Sequence, residues 1–367
     1  VSFPTETVYG LGANGLDAAA VLAIYEAKGR PLSDPCILHV ARAADALPLL
    51  ALDDAPEARL LLEELGKAFW PGPLSIIGPA RPVVPPEVTA GTGFVAVRCP
   101  AHEVARQLIA AAGVPLAAPS ANRFGHISPT LAEHVFEDLG HVAGLRILDG
   151  GPCGVGIEST VVKLEVSSTQ RRLVLLRRGG IPRERLELFL ADCLQRGVWQ
   201  EPIELESPAP TSGPAAACSK GEEEAQVSPG MLLKHYAPSV RTVLLSPDAS
   251  AAEAPAPPLP TAAGRSVLID FASKQSARHA MFFKVFDLCG QGDQAALSGT
   301  AEDACVQVFA VLRAAEAFAV AQEVDLICIG DFDPQGLGGY AEALHDRLFR
   351  SASGCRVTLR GSEFVPL

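Results

Sequence analysis

Two short polar triads stand far apart in the chain, Lys28-Gly29-Arg30 and Ser120-Ala121-Asn122. The first sets two cations around a glycine, where backbone can approach a phosphate closely. The second offers a hydroxyl and an amide just after an apolar, strand-like run, Val114-Pro115-Leu116-Ala117-Ala118. Arg98 closes another such run, Phe94 to Val97, and Arg177 closes Leu173 to Leu176. Arginine suits these positions because its planar fork holds a carboxylate or phosphate bidentately. Four cations from separate segments, brought to one face, would suit a polyphosphate together with a carboxylate-bearing co-substrate. Ser128 and Ser159 add hydroxyls, and His39 and His235 add imidazoles.

Each of these residues also has a purely structural reading, and the sequence leaves both open. Lys28 and Arg30 could simply complement the dipole of a helix C-terminus. Ser128, followed by Pro129-Thr130 and Leu131-Ala132-Glu133, reads as a helix start. His39 alone reads as a satisfied core histidine, and His235 as a loop residue. No G-x-S-x-G elbow surrounds any of the serines, which argues against a hydrolase nucleophile. Gly336-Leu337-Gly338-Gly339 matches neither a P-loop nor a dinucleotide fingerprint and reads as a turn before a helix.

The elements that must position these groups alternate. Val21, Leu22, Ile24 and Tyr25 form the apolar stripe of a helix ending near Gly29-Arg30-Pro31. Leu61, Leu65 and Phe69 recur at helical spacing until Pro71. Ile37 to Val40, Phe94 to Val97, Val114 to Ala118, Thr160 to Val162 and Leu173 to Leu176 predict short strands, with polar residues at their ends. Ser207 to Gln226 shifts to Pro, Ala, Ser and Gly and reads as a linker; Pro247 to Gly264 reads as a low-complexity surface loop. Beyond it, Ser266 to Asp270 (strand), Ala301 to Gln322 (helix), Asp325 to Gly330 (strand) and Tyr340 to Phe349 (helix) predict a second α/β unit. The fold expected is α/β in two parts, with ligand crevices at the strand ends.

Composition narrows the partners. The 367 residues favour two domains, and a net charge of −12 argues against a general nucleic-acid coat while allowing a local cationic pocket. No uninterrupted apolar run approaches the 18 or so residues of a membrane span, so no membrane partner is expected. Nine cysteines are scattered without C-x-x-C pairs or Cys/His ligand spacing, which reads as reduced thiols in a cytoplasmic protein without a metal centre. Val1 is no natural initiator, so a targeting segment ahead of it would not be seen.

Five motifs in one order carry a specific likeness: Pro4-Thr5-Glu6-Thr7-Val8-Tyr9-Gly10, the two triads, Phe69-Trp70-Pro71-Gly72-Pro73-Leu74, and Ser228-Pro229-Gly230-Met231 before Lys234-His235-Tyr236-Ala237-Pro238. The chain resembles the two-domain threonylcarbamoyl-AMP synthase family, whose first domain is the YrdC-like domain. The resemblance implies a twisted mixed-sheet YrdC-like domain at 1–181, a long linker with an active-site loop at 182–238, and a smaller Rossmann-like α/β domain at 239–367. It implies synthesis of threonylcarbamoyl adenylate from L-threonine, bicarbonate and ATP with Mg²⁺, releasing pyrophosphate. The product would pass to a downstream threonylcarbamoyl transferase complex that modifies adenosine 37 of tRNA, so tRNA is reached only indirectly. Carried over residue by residue, Thr7, His39, Arg98 and Ser159 would hold threonine. Lys28, Arg30, Asp34, Ser120, Asn122, Ser128 and Arg177 would hold the nucleotide, with Lys28 and Arg30 facing the reacting phosphates. His235, with Lys234 and Tyr236, would close over ATP.

Asp34 stands where many relatives carry asparagine and would need Mg²⁺ or Lys28 to offset its charge near phosphates. Arg123-Phe124-Gly125-His126 replaces a commoner small-residue turn. The family's usual helix and strand ahead of PTETVYG are absent, which predicts a sheet short of one edge strand. Two other readings are a YrdC-like module that binds RNA without catalysis, and a carbamoyl-adenylate step from carbamoyl phosphate. The second lacks the Lys-His-Tyr segment and second domain.

Overall fold

The computed structural model describes residues 1–167, 170–208, 225–229, 235–246, 265–289, 299–360 and 363–366. Most of the Ser207 to Gln226 linker, and all of Pro247 to Gly264, lie outside the described residues. The chain divides into two compact units. The first comprises Val1–Arg123, Leu131–Pro152 and Glu158–Met231; the second comprises Phe124–Thr130, Cys153–Ile157 and Leu232–Leu367. Two short loops inside the span matched by the YrdC-like motifs therefore belong to the second unit.

The first unit opens with a small ribbon of β1 (Ser2–Phe3) antiparallel to β2 (Gly10–Leu11). Its main sheet uses β3 (Ala13–Asn14), β4 (Ile37–His39), β5 (Leu74–Pro79), β6 (Phe94–Arg98), β7 (Leu116–Ala117), β8 (Thr160–Val166), β9 (Arg171–Arg177) and β10 (Glu204–Glu206). Their order is β10-β9-β8-β5-β6-β4-β7-β3. Parallel pairs (β4/β6, β5/β8) alternate with antiparallel ones (β5/β6, β8/β9, β4/β7), so the sheet is mixed as expected. The predicted strands form where read. Central β5 was not foreseen, because its apolar run is hidden behind the Pro71 and Pro73 turn. Its Leu74, Ile76 and Ile77 are fully buried, which is the continuous apolar pattern of a strand covered on both faces.

The helices of this unit are α1 (Ala18–Lys28), α2 (Pro56–Phe69), α3 (Pro86–Thr89), α4 (Glu103–Ala112), α5 (Ala132–Leu139) and α6 (Arg183–Gln195). Asp17 caps α1 through its carboxylate, accepting from the Ala19 and Ala20 amides. Ser128 does not start α5. The N-cap is Leu131, with no side-chain cap, and Ser128 sits fully buried in a loop of the other unit.

The second unit is the expected Rossmann-like sheet. Its strands are β11 (Arg241–Leu245), β12 (Val267–Asp270), β13 (Lys284–Asp287), β14 (Leu326–Gly330), β15 (Arg356–Arg360) and β16 (Glu363–Pro366), ordered β13-β12-β14-β11-β15-β16. All adjacent pairs are parallel except the edge pair β15/β16. Two helices follow the predicted periodicity, α7 (Ala301–Ala321) and α8 (Ala341–Ser351). By length and composition α7 is the one described helix that could cross a membrane, because apolar residues outnumber the charges interrupting them. It is nonetheless the core helix here, with Ala304, Val308, Phe309, Leu312 and Ala315 fully buried while it packs on β12, β14 and α8.

One buried carboxylate ties off the sheet. Asp270, at the end of β12, accepts from the Phe271 amide (2.8 Å), the Gln275 amide (2.9 Å) and His279 Nε2 (2.8 Å). Alanine there would strand two buried amides without partners. We expect Asp270→Ala to destabilise the second unit by roughly 3 kcal/mol. Asp287→Ala loses exposed bonds to Ser273 and one part-buried bond from the Cys289 amide, and should cost less, about 1 kcal/mol. Urea denaturation of the full chain reads the difference, and equal costs would refute a structural role for Asp270.

Candidate active site

The segment from Pro4 to Gly10 runs between the strands of the β1/β2 ribbon and links the polar groups of the first unit. It is shaped from within: Thr5 Oγ1 donates to the Val8 carbonyl (2.7 Å) and accepts the Thr7 and Val8 amides (both 3.2 Å), a threonine turn. Tyr9, fully buried, anchors it by donating from its hydroxyl to the Gly151 carbonyl (2.7 Å).

On one side this segment meets Arg98. The guanidinium donates from Nη1 to Thr7 Oγ1 (2.9 Å) and from Nε to the Gly72 carbonyl (3.3 Å), and Nη2 pairs with Glu6 Oε1 at 2.7 Å. Burial by itself would raise the Glu6 carboxyl, but Arg98 outweighs it and holds the group below the ordinary carboxylate range. Parallel pairing of β4 with β6 sets His39 beside Arg98. Burial, with Arg98 adding to it, lowers the His39 imidazole to about 3, so the ring is neutral, with Nδ1 3.2 Å from the Ile37 carbonyl. Glu6 was missed among the candidates, although its place between Thr5 and Thr7 in the first motif was the available signal.

Ser159 and Arg177 stand at the same end of the sheet. Antiparallel β5 and β6 pair Ile76 with Val97, so Ser75 lies one step on, beside Arg98. Ser75 Oγ and Ser159 Oγ share a hydrogen bond of 2.8 Å. Arg177 donates from Nη2 to Ser159 Oγ (3.0 Å), from Nε to the Ser159 carbonyl (3.1 Å) and from Nη1 to the Pro229 carbonyl (3.2 Å). Thr7, His39, Arg98, Ser159 and Arg177 are thus brought together, with Glu6 and Ser75 added to them.

The other group forms beside the start of β4. The chain leaving β7 is held to the opening segment: the Ala121 amide donates to the Tyr9 carbonyl (2.8 Å) and Ser120 bridges Gly10. Lys28, 4% exposed at the end of α1, donates from Nζ to the Ser120 carbonyl (2.6 Å) and to the Asn122 carbonyl. The two triads therefore do meet, but the ammonium holds backbone carbonyls, while Asn122 Nδ2 donates to the Arg123 carbonyl (2.8 Å). Gly29 has φ +63°, the left-handed cap of α1, a conformation that favours glycine. Burial, with the neighbouring Arg30 charge, lowers the Lys28 ammonium to about 7.

Arg30 likewise faces protein. It pairs with Asp34 Oδ1 at 3.0 Å and donates to the Asp34 (3.0 Å) and Pro35 (2.7 Å) carbonyls. Both side chains are almost wholly buried. The unusual Asp34 is therefore paired directly with Arg30, and the Lys28 ammonium adds a Coulombic attraction to the same carboxylate.

In the second unit, Ser128 is fully buried and His235 nearly so. The His235 ring stands edge-on to Tyr236 (4.1 Å), and Tyr236, at φ +61°, packs its ring 5.2 Å from Phe309 with Arg347 over it at 5.5 Å. Tyr236 is thus held in the packing of its own unit. Lys234 lies outside the described residues. Among the described residues no three His, Cys, Asp or Glu side chains gather to hold a metal ion.

The family model described as telomere recombination (Sua5, YciO and YrdC) matches residues 1–179, and that described as threonylcarbamoyl-AMP synthase, C-terminal domain, matches 181–353. The threonylcarbamoyl-AMP synthase of Pyrococcus abyssi is 44% identical over 67% of this chain and 64% of its own length. That of Bacillus subtilis is 44% identical over 65% of this chain and 61% of its own. The chain thus spans just under two thirds of the length of these curated relatives. The crystal structure of P. abyssi Sua5 complexed with L-threonine superposes with a TM-score of 0.71 at 33% identity, covering 98% of this chain and 92% of that one. With both models matched in order along one chain, the protein belongs to the Sua5, YciO and YrdC family in its two-domain form.

Proposed function

We propose that the protein is an enzyme, a nucleotidyltransferase that makes L-threonylcarbamoyladenylate from L-threonine, bicarbonate and ATP, with release of pyrophosphate. The observation that carries this reading is Arg98. Its fork already grips one carboxylate, Glu6, beside the Thr7 hydroxyl and a neutral imidazole. An amino-acid carboxylate exchanging with Glu6 would meet the same donors, while Thr7, His39 and Ser159 receive the rest of the molecule. The relative from P. abyssi was crystallised with L-threonine, which supports the assignment.

The chemistry suits the residue types. Threonine's ammonium group and bicarbonate condense to a carbamate, releasing water and a proton to solvent; a carbamate oxygen then attacks the α-phosphorus of ATP, the bond from that phosphorus to the oxygen bridging to the β-phosphate breaks, and pyrophosphate departs. A carbamate is already an anionic nucleophile, so no strong general base is needed, and a neutral His39 fits that. The barrier is charge crowding, relieved by fixed cations. Lys28, Arg30, Ser120, Asn122, Ser128 and Arg177, with Lys234, His235 and Tyr236, are assigned to the nucleotide. With Asp34 engaged by Arg30 and no carboxylate cage among the described residues, Mg²⁺ is proposed to enter as the Mg-ATP substrate.

Residues 1–181 are proposed as the catalytic domain, 182–238 as linker and active-site loop, and 239–367 as the smaller domain. The product is proposed to serve, in the cytoplasm, a downstream transferase that forms N6-threonylcarbamoyladenosine at position 37 of tRNA. The deciding experiment incubates the protein with threonine, bicarbonate and Mg-ATP and detects an AMP-linked product with pyrophosphate. Pyrophosphate release indifferent to threonine would sink the reading.

Arg98→Lys keeps the charge but loses the three-way grip on Glu6, Thr7 and Gly72. We expect the apparent KM for threonine to rise about tenfold or more and that for ATP less than threefold, since a charge-assisted hydrogen bond is worth roughly 1.5–3 kcal/mol. Equal changes would assign Arg98 to the nucleotide or to the fold alone.

Lys28 makes ATP binding proton-linked. Its pKa, lowered from the ordinary lysine value to about 7, leaves part of the population neutral around neutral pH. An adjacent polyphosphate favours the charged form and raises the pKa, so binding takes up a proton and weakens as pH climbs above about 7. Calorimetry of ATP binding in buffers of different ionisation enthalpy should show that uptake. Lys28→Met should abolish it, and identical uptake in the variant would refute the assignment.

A further inference from the structure

The second unit contains a clamp. Four positions on successive turns of α7, Cys305/Val306, Phe309, Arg313 and Glu316, form one stripe along the helix. Each receives a loop. Gly156, at φ +75°, lies so near Val306 that a Cβ would stand 2.4 Å from its Cα, so any side chain there would push the 153–157 loop off the helix. Phe309 carries the Tyr236 ring at 5.2 Å. Arg313 donates from Nη2 to the Ile127 carbonyl at 2.6 Å.

Glu316 sits at the end of the stripe and engages two loops at once. Its Oε2 lies 3.0 Å from His126 Nε2, and its Oε1 accepts from the Ser239 amide (2.6 Å) and Ser239 Oγ (2.5 Å). Burial would raise this carboxyl, yet the His126 and Ser239 hydrogen bonds overcome it and hold the group at about 2, so it is ionised throughout the neutral range. The two loops also touch directly, the Ala237 amide donating to the Gly125 carbonyl at 2.9 Å. Ser128 lies two residues beyond His126, and His235 four residues before Ser239.

We propose that Glu316 is a positioning residue, which from α7 locks the 124–130 loop and the 235–239 segment into one mutual arrangement and thereby sets Ser128 against His235. The inference rests on the proposed function, which assigns both residues to ATP. Glu316 itself touches neither substrate. Its effect passes through His126 and Ser239, two residues outside the motifs that carry the family likeness.

The test uses the full chain with Glu316→Ala, Glu316→Gln and His126→Ala. Amide hydrogen exchange is followed by peptide, and KM values for ATP and threonine are measured separately. In Glu316→Ala we expect peptides over 124–130 and 235–239 to exchange faster together, by about tenfold or more for loss of several charge-assisted hydrogen bonds. The KM for ATP should rise by a similar factor while that for threonine changes less than twofold. Glu316→Gln keeps an acceptor for Ser239 and should restore most of both effects; His126→Ala should loosen 124–130 more than 235–239. Should Glu316→Ala fail to fold, His126→Ala carries the comparison, by faster exchange over 124–130 with a raised KM for ATP.

Unchanged exchange in either loop would overturn the clamp. Faster exchange with an unaltered KM for ATP would overturn its functional role. If the unmodified protein makes no adenylate, the proposed function fails on its own, and the exchange data still decide whether the clamp exists.

Discussion

A buried guanidinium cannot be left unpaired, and much of the first unit can be understood as the consequence of burying Arg98. Removing one partner of such a pair costs roughly 3–5 kcal/mol, so the side chain must find acceptors on every side. It finds them in Thr7, Glu6 and the Gly72 carbonyl, drawn from the opening segment and from the turn after α2. The same requirement explains why the Pro4 to Gly10 segment follows an internally bonded turn. Thr5 must hold Thr7 where its hydroxyl reaches the arginine, and the neighbouring residue, Glu6, is then aimed at the same fork.

The group around Lys28 and Arg30 follows a different logic. Lys28 and Arg30 are buried and committed to backbone carbonyls, and Arg30 also to Asp34. Cations held this way cost desolvation, visible in the depressed Lys28 pKa. They also cannot swing away, so their charge is preorganised, with no reorganisation left to be done when charge develops nearby. The loop from Arg30 to Pro35 is therefore more than a surface connection. It is fastened by Arg30 within and by the Tyr25 hydroxyl, which donates to the Asp34 carbonyl at 2.9 Å.

The second unit has the outward form of a Rossmann-like domain but spends its longest helix as a platform. On α7, Phe309, Arg313 and Glu316 hold loops, while the opposite face packs on the sheet. An apolar helix carrying a few buried polar groups satisfies both tasks, which is why its composition resembles that of a membrane-spanning segment.

The sequence by itself determined the α/β class, most strands and helices, and the residues that gather at the site. Those signals are local: apolar runs ended by Arg98 or Arg177, a helix stopped at Gly29, and five motifs in order. It did not reveal β5, whose apolar run is masked by flanking prolines, nor that α5 starts at Leu131 rather than at Ser128. It also did not show what each cation grips. Whether Lys28 reaches Ser120, Arg30 turns to Asp34, or Arg98 finds Glu6 depends on which strand ends lie side by side. Register and sheet order set that, and they link residues about 90 positions apart, as with Lys28 and Ser120 or Thr7 and Arg98. Only the tertiary structure decided that the loops around His126 and Ser239 share one carboxylate on α7, because a buried acid takes whichever donors packing brings to it.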